Sequence, residues 1–385
     1  MKKILIFTVV LFLGFINNVK AETNLELAKS AKSGIIIEQT TGTIIFEKNS
    51  HEKLHPASMT KMMSMLLIME EIEKGSLKWN EMITVSEKAS GMGGSQILLE
   101  TGEKMSVKDL FKGVAIASGN DAVVALAERI AGSTEEFVKQ MNNKAKKLGL
   151  KDTNFKNPHG LDDANHYSSA YDMAIIAKEL SKHEKIFEFT SIYEDYLRKG
   201  TDRETWLVNT NKLVRFYSGV DGFKTGYTKE AGYCLTASAK KEGMRIITVI
   251  MGSEDSKIRN SETTEMLNYA FSNYTLNTIL SKNTILEKKA VSKGKIKHAT
   301  IVPKEDITSI NKKTDKKKKI TYDLKINAIK APIKSGEKVG IITVKENGKK
   351  TREVEVTIKE NIKKANIINL YLRYLSEMIT GEISI

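Results

Sequence analysis

A serine and a lysine stand three residues apart in His-Pro-Ala-Ser-Met-Thr-Lys-Met-Met-Ser-Met-Leu-Leu, residues 55–67. Such a pair could do nucleophilic chemistry. A serine hydroxyl is a poor nucleophile until a base takes its proton, and Lys61 is such a base only when uncharged. The reference lysine pKa of about 10.4 must then fall by roughly 3 units, which is about 4 kcal/mol. Burial against apolar side chains and a second nearby cation both push that way. The alternative is that Lys61 runs to solvent along its own stem. Spacing alone does not decide, because Ser-x-x-Lys occurs six times, starting at Ser50, Ser58, Ser238, Ser292, Ser309 and Ser335. Only the pair at Ser58 opens a strongly apolar helical run. There, positions i and i+3 share a face with β-carbons about 5–6 Å apart. A helix N-terminus also favours a developing oxyanion.

Two further clusters offer company. Ser118-Gly119-Asn120 interrupts a helical pattern, so its side chains either point into a cleft or simply cap the next helix; in isolation the cap is favoured. Lys224-Thr225-Gly226 precedes a strand-like run. Its lysine and threonine could hold a carboxylate, and its glycine would let a substrate backbone approach the sheet edge. Alone it is weak, since Lys32-Ser33-Gly34 and Lys334-Ser335-Gly336 have the same form. The conjunction is strong. Ser118 follows Ser58 by 60 residues and Lys224 follows Asn120 by 104, each at the end of a suitable element.

The elements that must position these groups can be read from pattern. Residues 34–48 form a hairpin about Thr40-Thr41-Gly42. A helix runs from Ala57 to about Lys74, between Pro56 and Gly75. Helical spacing begins again at Ser106, breaks at 118–120 and resumes from Asp121 to Ile130. Residues 232–239 and 245–251 are adjacent strands, and 261–274 a helix. The pattern predicts an α+β domain over 22–275, built on an antiparallel sheet flanked by helices. From 276 to 360 a smaller all-β domain follows, with an Asn347-Gly348 hairpin. The Lys316–Lys319 run is a solvated loop rather than an anion site. In the last segment, 361–385, Ile368, Leu372, Leu375 and Ile379 fall on one helical line, and Ile367, Tyr371, Tyr374 and Met378 widen it. Asn369, Arg373, Ser376, Glu377 and Thr380 lie opposite. Such a helix either docks on its own protein or lies in a membrane interface; its terminal position favours an anionic membrane surface. It is too polar to span.

Bulk properties bound the function. Residues 1–21 have a basic start, an apolar run from Ile4 to Ile16 and a Val19-Lys20-Ala21 cleavage pattern, so a cleaved export signal is predicted. That places the protein at the extracytoplasmic face of the membrane or in the cell wall. The net charge is +14, and removing the three lysines of residues 1–21 leaves +11. Anionic lipid or wall polymer suits that charge. Nucleic acid does not, given export and lysines scattered without aromatic interleaving. The single cysteine, Cys234, is expected as a packed core thiol.

At this point a family resemblance is plain. PASMTKMM, ASGNDAVVALAE, NPHGLDDANHYSSAYDMA and VDGFKTGYTKEAGYCLTASA resemble the D-alanyl-D-alanine carboxypeptidases, the low-molecular-mass penicillin-binding proteins. The likeness is close over roughly residues 30–275 and looser over the β domain and terminal helix. It implies the β-lactamase/DD-peptidase-like fold and a serine peptidase that trims the terminal D-alanine from peptidoglycan stem pentapeptides, with β-lactams as covalent inhibitors and no metal or cofactor. Ser58 would be the nucleophile and Lys61 its general base. Ser118 and Asn120 would complete the proton relay. Lys224 and Thr225 would hold the substrate carboxylate and lower the Lys61 pKa. The backbone N–H groups of Ser58 and Tyr227 would form the oxyanion hole beside Gly226, and Arg259 would lie near the carboxylate pocket.

Rival readings fail on the residues. There is no Gly-x-Ser-x-Gly elbow and no His-Glu-x-x-His motif. His159 and His166 are expected in an ordered loop lining the site mouth rather than in a metal site or triad. A class A β-lactamase would carry a Glu-x-x-x-Asn loop between the second and third motifs; the nearest lookalike, Glu265 to Asn268, has the wrong spacing and follows Lys224. A non-catalytic wall-binding protein that kept the fold would have no need of three intact motifs.

Overall fold

The computed structural model describes residues 26–316 and 318–380. The export signal inferred at 1–21, Lys317 of the lysine run and residues 381–385 lie outside them. Strands β1 (Ser33–Glu38) and β2 (Ile44–Lys48) form the first hairpin. Its turn is closed by the Glu38 carboxylate, which accepts the backbone N–H groups of Thr40 at 2.9 Å and Thr41 at 2.7 Å. Strands β3 (Val220–Thr228), β4 (Gly232–Lys241) and β5 (Met244–Ser253) complete an antiparallel sheet in the order β2-β1-β5-β4-β3.

Strand alternation sorts the apolar residues onto two faces. Ile35, Ile37, Ile247, Val249 and Met251 point into a core shared with helices α1 (Lys61–Lys74), α2 (Val107–Ala115), α3 (Asn120–Ala131) and α4 (Ala170–Leu180). Ile36, Ile246 and Ile250 point the other way, against Met266, Leu267 and Ala270 of helix α5 (Ser256–Asn273). The predicted α+β architecture is present, with three differences that bear on the site. Residues Ala57–Thr60 are a 3-10 turn, and the α-helix starts only at Lys61. Helix α5 starts at Ser256 rather than 261, because the Asp255 carboxylate caps the N–H groups of Lys257 and Ile258. Lys224-Thr225-Gly226 lies within β3, the end strand of the sheet, rather than ahead of the strand run.

The β domain begins with the strand Tyr274–Leu280, paired with Ile307–Lys312. A six-stranded sheet packs beside this pair around Ile301, Ile342, Val356 and Ile358. Its longest hairpin turns through Asn347 and Gly348, at φ 50° and 81°, as a tight two-residue turn demands. The segment expected as a helix from 361 divides in two. Ile362 and Ala365 are buried and belong to the β domain, where Ile362 bridges to Ile333. Helix α6 spans Ile367–Thr380. Among the described residues no helix is long and apolar enough to cross a membrane.

Candidate active site

Pinching holds the nucleophile turn in place. On one side Gly226 of β3 abuts it: a β-carbon there would fall 2.7 Å from the Pro56 carbonyl oxygen and 3.1 Å from Ala57 Cβ. On the other side sits Gly160, at φ +90°, where a β-carbon would fall 1.9 Å from the Ala57 carbonyl oxygen. Ala57 itself is forced to φ 46°. The room made by Gly226 is thus filled by the chain's own serine turn and not, as expected, by a substrate backbone. In a 3-10 turn, side chains at i and i+3 eclipse, and Lys61 Nζ lies 3.0 Å from Ser58 Oγ.

Lys61 does not reach solvent. It is fully buried, with Met59, Met62, Met63 and Met65 buried around the same turn and helix. Its Nζ donates to Asn120 Oδ1 at 2.6 Å and to the His159 carbonyl at 2.8 Å. Burial pushes its pKa well below the ordinary lysine value, the Lys224 charge pushes it further, and Asp121 opposes both. Asn120 Oδ1 and the His159 carbonyl are acceptors only. They can therefore take the two N–H bonds of a neutral amine and leave its lone pair facing the Ser58 hydroxyl.

Ser118 is not a cap. Gly119 occupies the N-cap position of α3 without a side-chain bond. Ser118 instead adopts φ 66°, and its buried hydroxyl has no hydrogen-bond partner among the described residues. Asn120 is held from the far side: its Nδ2 donates to the Gly93 carbonyl at 2.6 Å and its backbone N–H to the Ser95 carbonyl at 2.7 Å.

Lys224 is the second cation that Lys61 requires. It is fully buried, donates to the Thr225 carbonyl at 3.2 Å, and is pushed down to about 7 by burial and then by the Arg259 charge. Thr225 Oγ1 donates to Thr210 Oγ1 at 2.7 Å, which fixes its rotamer. Tyr227 is exposed and stacks on its cross-strand partner Tyr233, ring centroids 4.3 Å apart. Arg259 sits in the first turn of α5. It reaches the Cys234 carbonyl at 3.4 Å, and Cys234 pairs with Gly226 across β3 and β4. Its guanidinium is shared with Asn260, so its link to the site in this state is through its charge. Cys234 is a buried core thiol, pushed up to about 11 by burial.

The loop 157–166 is tied to the nucleophile region at three points. Ser64 Oγ donates to the Pro158 carbonyl at 2.7 Å, Lys61 to the His159 carbonyl, and Thr60 Oγ1 pairs with His166 Nε2 at 2.7 Å. His166 Nδ1 accepts the Lys156 backbone N–H, so Nε2 carries the proton donated to Thr60. Burial lowers His166 to about 4 and His159 to about 3, keeping both neutral. Among the described residues no cluster of His, Cys, Asp and Glu could hold a metal. Three residues of the site were missed from sequence. Thr210 orients Thr225. Gly160 admits the loop onto the serine turn; its signal was the His-Gly step within Asn-Pro-His-Gly-Leu. Asp121 holds the backbone N–H groups of Ile97 and Leu99 beside Asn120.

The chain is similar to known proteins over most of its length. Residues 18–255 match the family described as D-alanyl-D-alanine carboxypeptidase, and residues 274–364 match the penicillin-binding protein 5 C-terminal domain. D-alanyl-D-alanine carboxypeptidase DacF of Bacillus subtilis is 52% identical over 353 residues, 91% of each chain. Penicillin-binding protein 5 from Haemophilus influenzae superposes with a TM-score of 0.70 at 31% identity, over 88% of this chain and 98% of its own. Penicillin-binding protein D2 from Listeria monocytogenes, solved in an ampicillin-bound form, gives a TM-score of 0.57 at 30% identity, over 64% of this chain and 99% of its own. With that extent of likeness and a buried Ser–Lys pair at its centre, the chain belongs to the D-alanyl-D-alanine carboxypeptidase family.

Proposed function

We propose that the protein is a serine-type carboxypeptidase that removes the terminal D-alanine from peptidoglycan stem pentapeptides through an acyl-enzyme on Ser58. The observation that carries this reading is the 3.0 Å contact between Ser58 Oγ and a fully buried Lys61 amine whose other contacts are acceptors. Neutral Lys61 takes the Ser58 proton as Oγ attacks the D-Ala–D-Ala carbonyl carbon. Backbone N–H groups of Ser58 and Tyr227 receive the developing oxyanion, and the packing of Gly226 on the serine turn brings their segments together. As the tetrahedral species collapses, the leaving amine of D-alanine takes the proton back from Lys61 by way of the Ser118 hydroxyl. Water then hydrolyses the ester with Lys61 again as base. Lys224 and Thr225 hold the substrate carboxylate, with Arg259 adding positive charge behind them, and Asn120 steadies Lys61.

A β-lactam acylates the same serine and stalls. Replacing Ser58 by alanine therefore abolishes both D-alanine release from a pentapeptide and covalent labelling by penicillin, read by intact-protein mass spectrometry. A label retained on another residue would overturn the assignment.

The same reading places the protein outside the cytoplasm, on the membrane surface. Two features of α6 support it. Eight of its large apolar side chains are exposed, from 39% at Leu375 to 85% at Ile367, with Leu370 alone half-buried. The line of Leu370, Arg373 and Glu377 is half-buried instead, and Arg373 donates to the Lys295 carbonyl at 3.2 Å while Glu377 pairs with Lys297 at 3.3 Å. A helix docked on its own protein would present the opposite face; this one suits an anionic lipid interface.

A further inference from the structure

A leucine beside the site is held in a costly posture that the reaction described above does not use. Leu98 adopts φ 58° and is 63% exposed. The left-handed region is disfavoured for a residue with a β-carbon, and such outliers persist only where their surroundings over-determine them. Of the eight other non-glycine residues in that region among the described residues, two, Ala57 and Ser118, belong to the catalytic machinery. The same loop uses glycine at its other left-handed position, Gly94 with φ +78°, where a β-carbon would fall 2.7 Å from Asn120 Nδ2. At position 98 it keeps a large apolar side chain instead.

Charged groups fix the backbone at Leu98 from both flanks. The Asp121 carboxylate accepts the backbone N–H of Ile97 at 3.0 Å and that of Leu99 at 3.1 Å. The Leu98 carbonyl accepts from Arg198 Nη2 at 3.2 Å and Arg203 Nη2 at 2.9 Å. Arg198 also donates to the Ile97 carbonyl at 3.1 Å, pairs with Glu103 at 2.6 Å, and is itself at φ 53°. The loop is continuous with the wall of the site, because Asn120 holds its Gly93 and Ser95 carbonyls. Leu161 comes to the same loop from the 157–166 segment, with Cδ2 3.6 Å from where a Gly94 β-carbon would lie. Four charged side chains thus brace the backbone that carries one exposed leucine beside the Asn120 wall of the site.

We infer that Leu98 is a specificity-determining residue that packs against the aliphatic part of the side chain preceding D-Ala–D-Ala in the stem peptide. This rests on the carboxypeptidase reading above. Lys224 and Thr225 anchor the carboxylate end on the β3 wall, so the peptide upstream of the scissile bond runs past the opposite, Asn120-bearing wall. A rigid apolar contact there costs the substrate no protein reorganisation on binding.

The test compares two peptides on the full-length enzyme: diacetyl-L-lysyl-D-alanyl-D-alanine, with an aliphatic side chain at that position, and acetylglycyl-D-alanyl-D-alanine, without one. Leu98→Gly relieves the strained backbone, so its melting temperature equals or exceeds that of the parent. Its kcat/KM on the lysyl peptide falls about tenfold, while on the glycyl peptide it stays within about twofold. Leu98→Asn, which tolerates the same backbone with a polar side chain, behaves like the glycine variant; Leu98→Met restores the lysyl rate. An equal loss on both peptides, or no loss on either, overturns the inference. Penicillin labelling of Ser58 separates it from the parent reading: variants that label normally yet do not discriminate sink the Leu98 role alone. A wild-type enzyme that neither labels at Ser58 nor releases D-alanine sinks both.

Discussion

Two regions of this chain break the ordinary rule of burial in opposite directions. The catalytic domain takes two ammonium groups, Lys61 and Lys224, entirely out of water. Helix α6 puts eight large apolar side chains into water. Neither helps the fold stand up, since desolvating a charge is costly and exposed apolar patches invite association. The difference lies in how each is held. Lys61 sits in a web of short hydrogen bonds, left-handed residues and glycine contacts, and Lys224 is buried in the sheet with a bond to the Thr225 carbonyl. The helix is attached by little more than Arg373 and Glu377, with its greasy side free. Chemistry at a bond needs the first kind of support; adhesion to a fluid surface needs only the second.

The contrast can be broken most severely at Lys61. Lys61→Ala should slow acylation of Ser58 by penicillin at least a thousandfold, within the range of a lost general base combined with lost positioning. The chain should still fold, because a desolvated amine is removed rather than created. Near-normal labelling would show that the burial of this cation is incidental.

Removal of the chain after Ala365 tests the other region. The cut spares Ile362, a member of the β-domain core, and the buried Ala365. The truncated enzyme should keep full kcat/KM on soluble peptide and lose at least about tenfold in partition onto vesicles containing anionic lipid. Undiminished sedimentation with the vesicles would leave the exposed face of α6 without the role assigned to it.

A finer probe is pH. Lys61 must be neutral and Lys224 charged, so kcat/KM should rise with pH as Lys61 loses its proton and fall as Lys224, pushed down to about 7 in the free enzyme, loses its own. The descending limb should move upward in kcat, because a bound carboxylate favours the charged form of Lys224 and raises its pKa. An alkaline limb unchanged between the two profiles would separate Lys224 from substrate binding.

Much of the site was legible because it is carried by side-chain chemistry at fixed spacing. Ser58, Lys61, Ser118, Asn120, Lys224 and Thr225 announce themselves as a group even though each alone is ambiguous. What stayed hidden acts through backbone approach or across long sequence separations. Ser118 in isolation suits a helix cap and joins the relay only through its place in the trio, and nothing local shows the left-handed backbone that buries its hydroxyl. Nor could spacing show that Gly226 and Gly160 converge on Ala57. The late start expected for α5 overlooked Asp255, a capping residue in plain view. The boundary at 361 failed for a different reason: Ile362 and Ala365 fit a helical stripe and a β-domain core equally well, and tertiary packing chose the core.

The vise formed by Gly160 and Gly226 has one more implication. The serine owes its location to two neighbours that close on it from separate parts of the chain, not to the rigidity of the helix behind it. Modest warming or a methyl group at either jaw would let the hydroxyl drift from its amine while the sheet and helices stayed intact. Loss of turnover should therefore precede melting, and the enzyme's working temperature would be set by a hinge of a few ångströms instead of by its core.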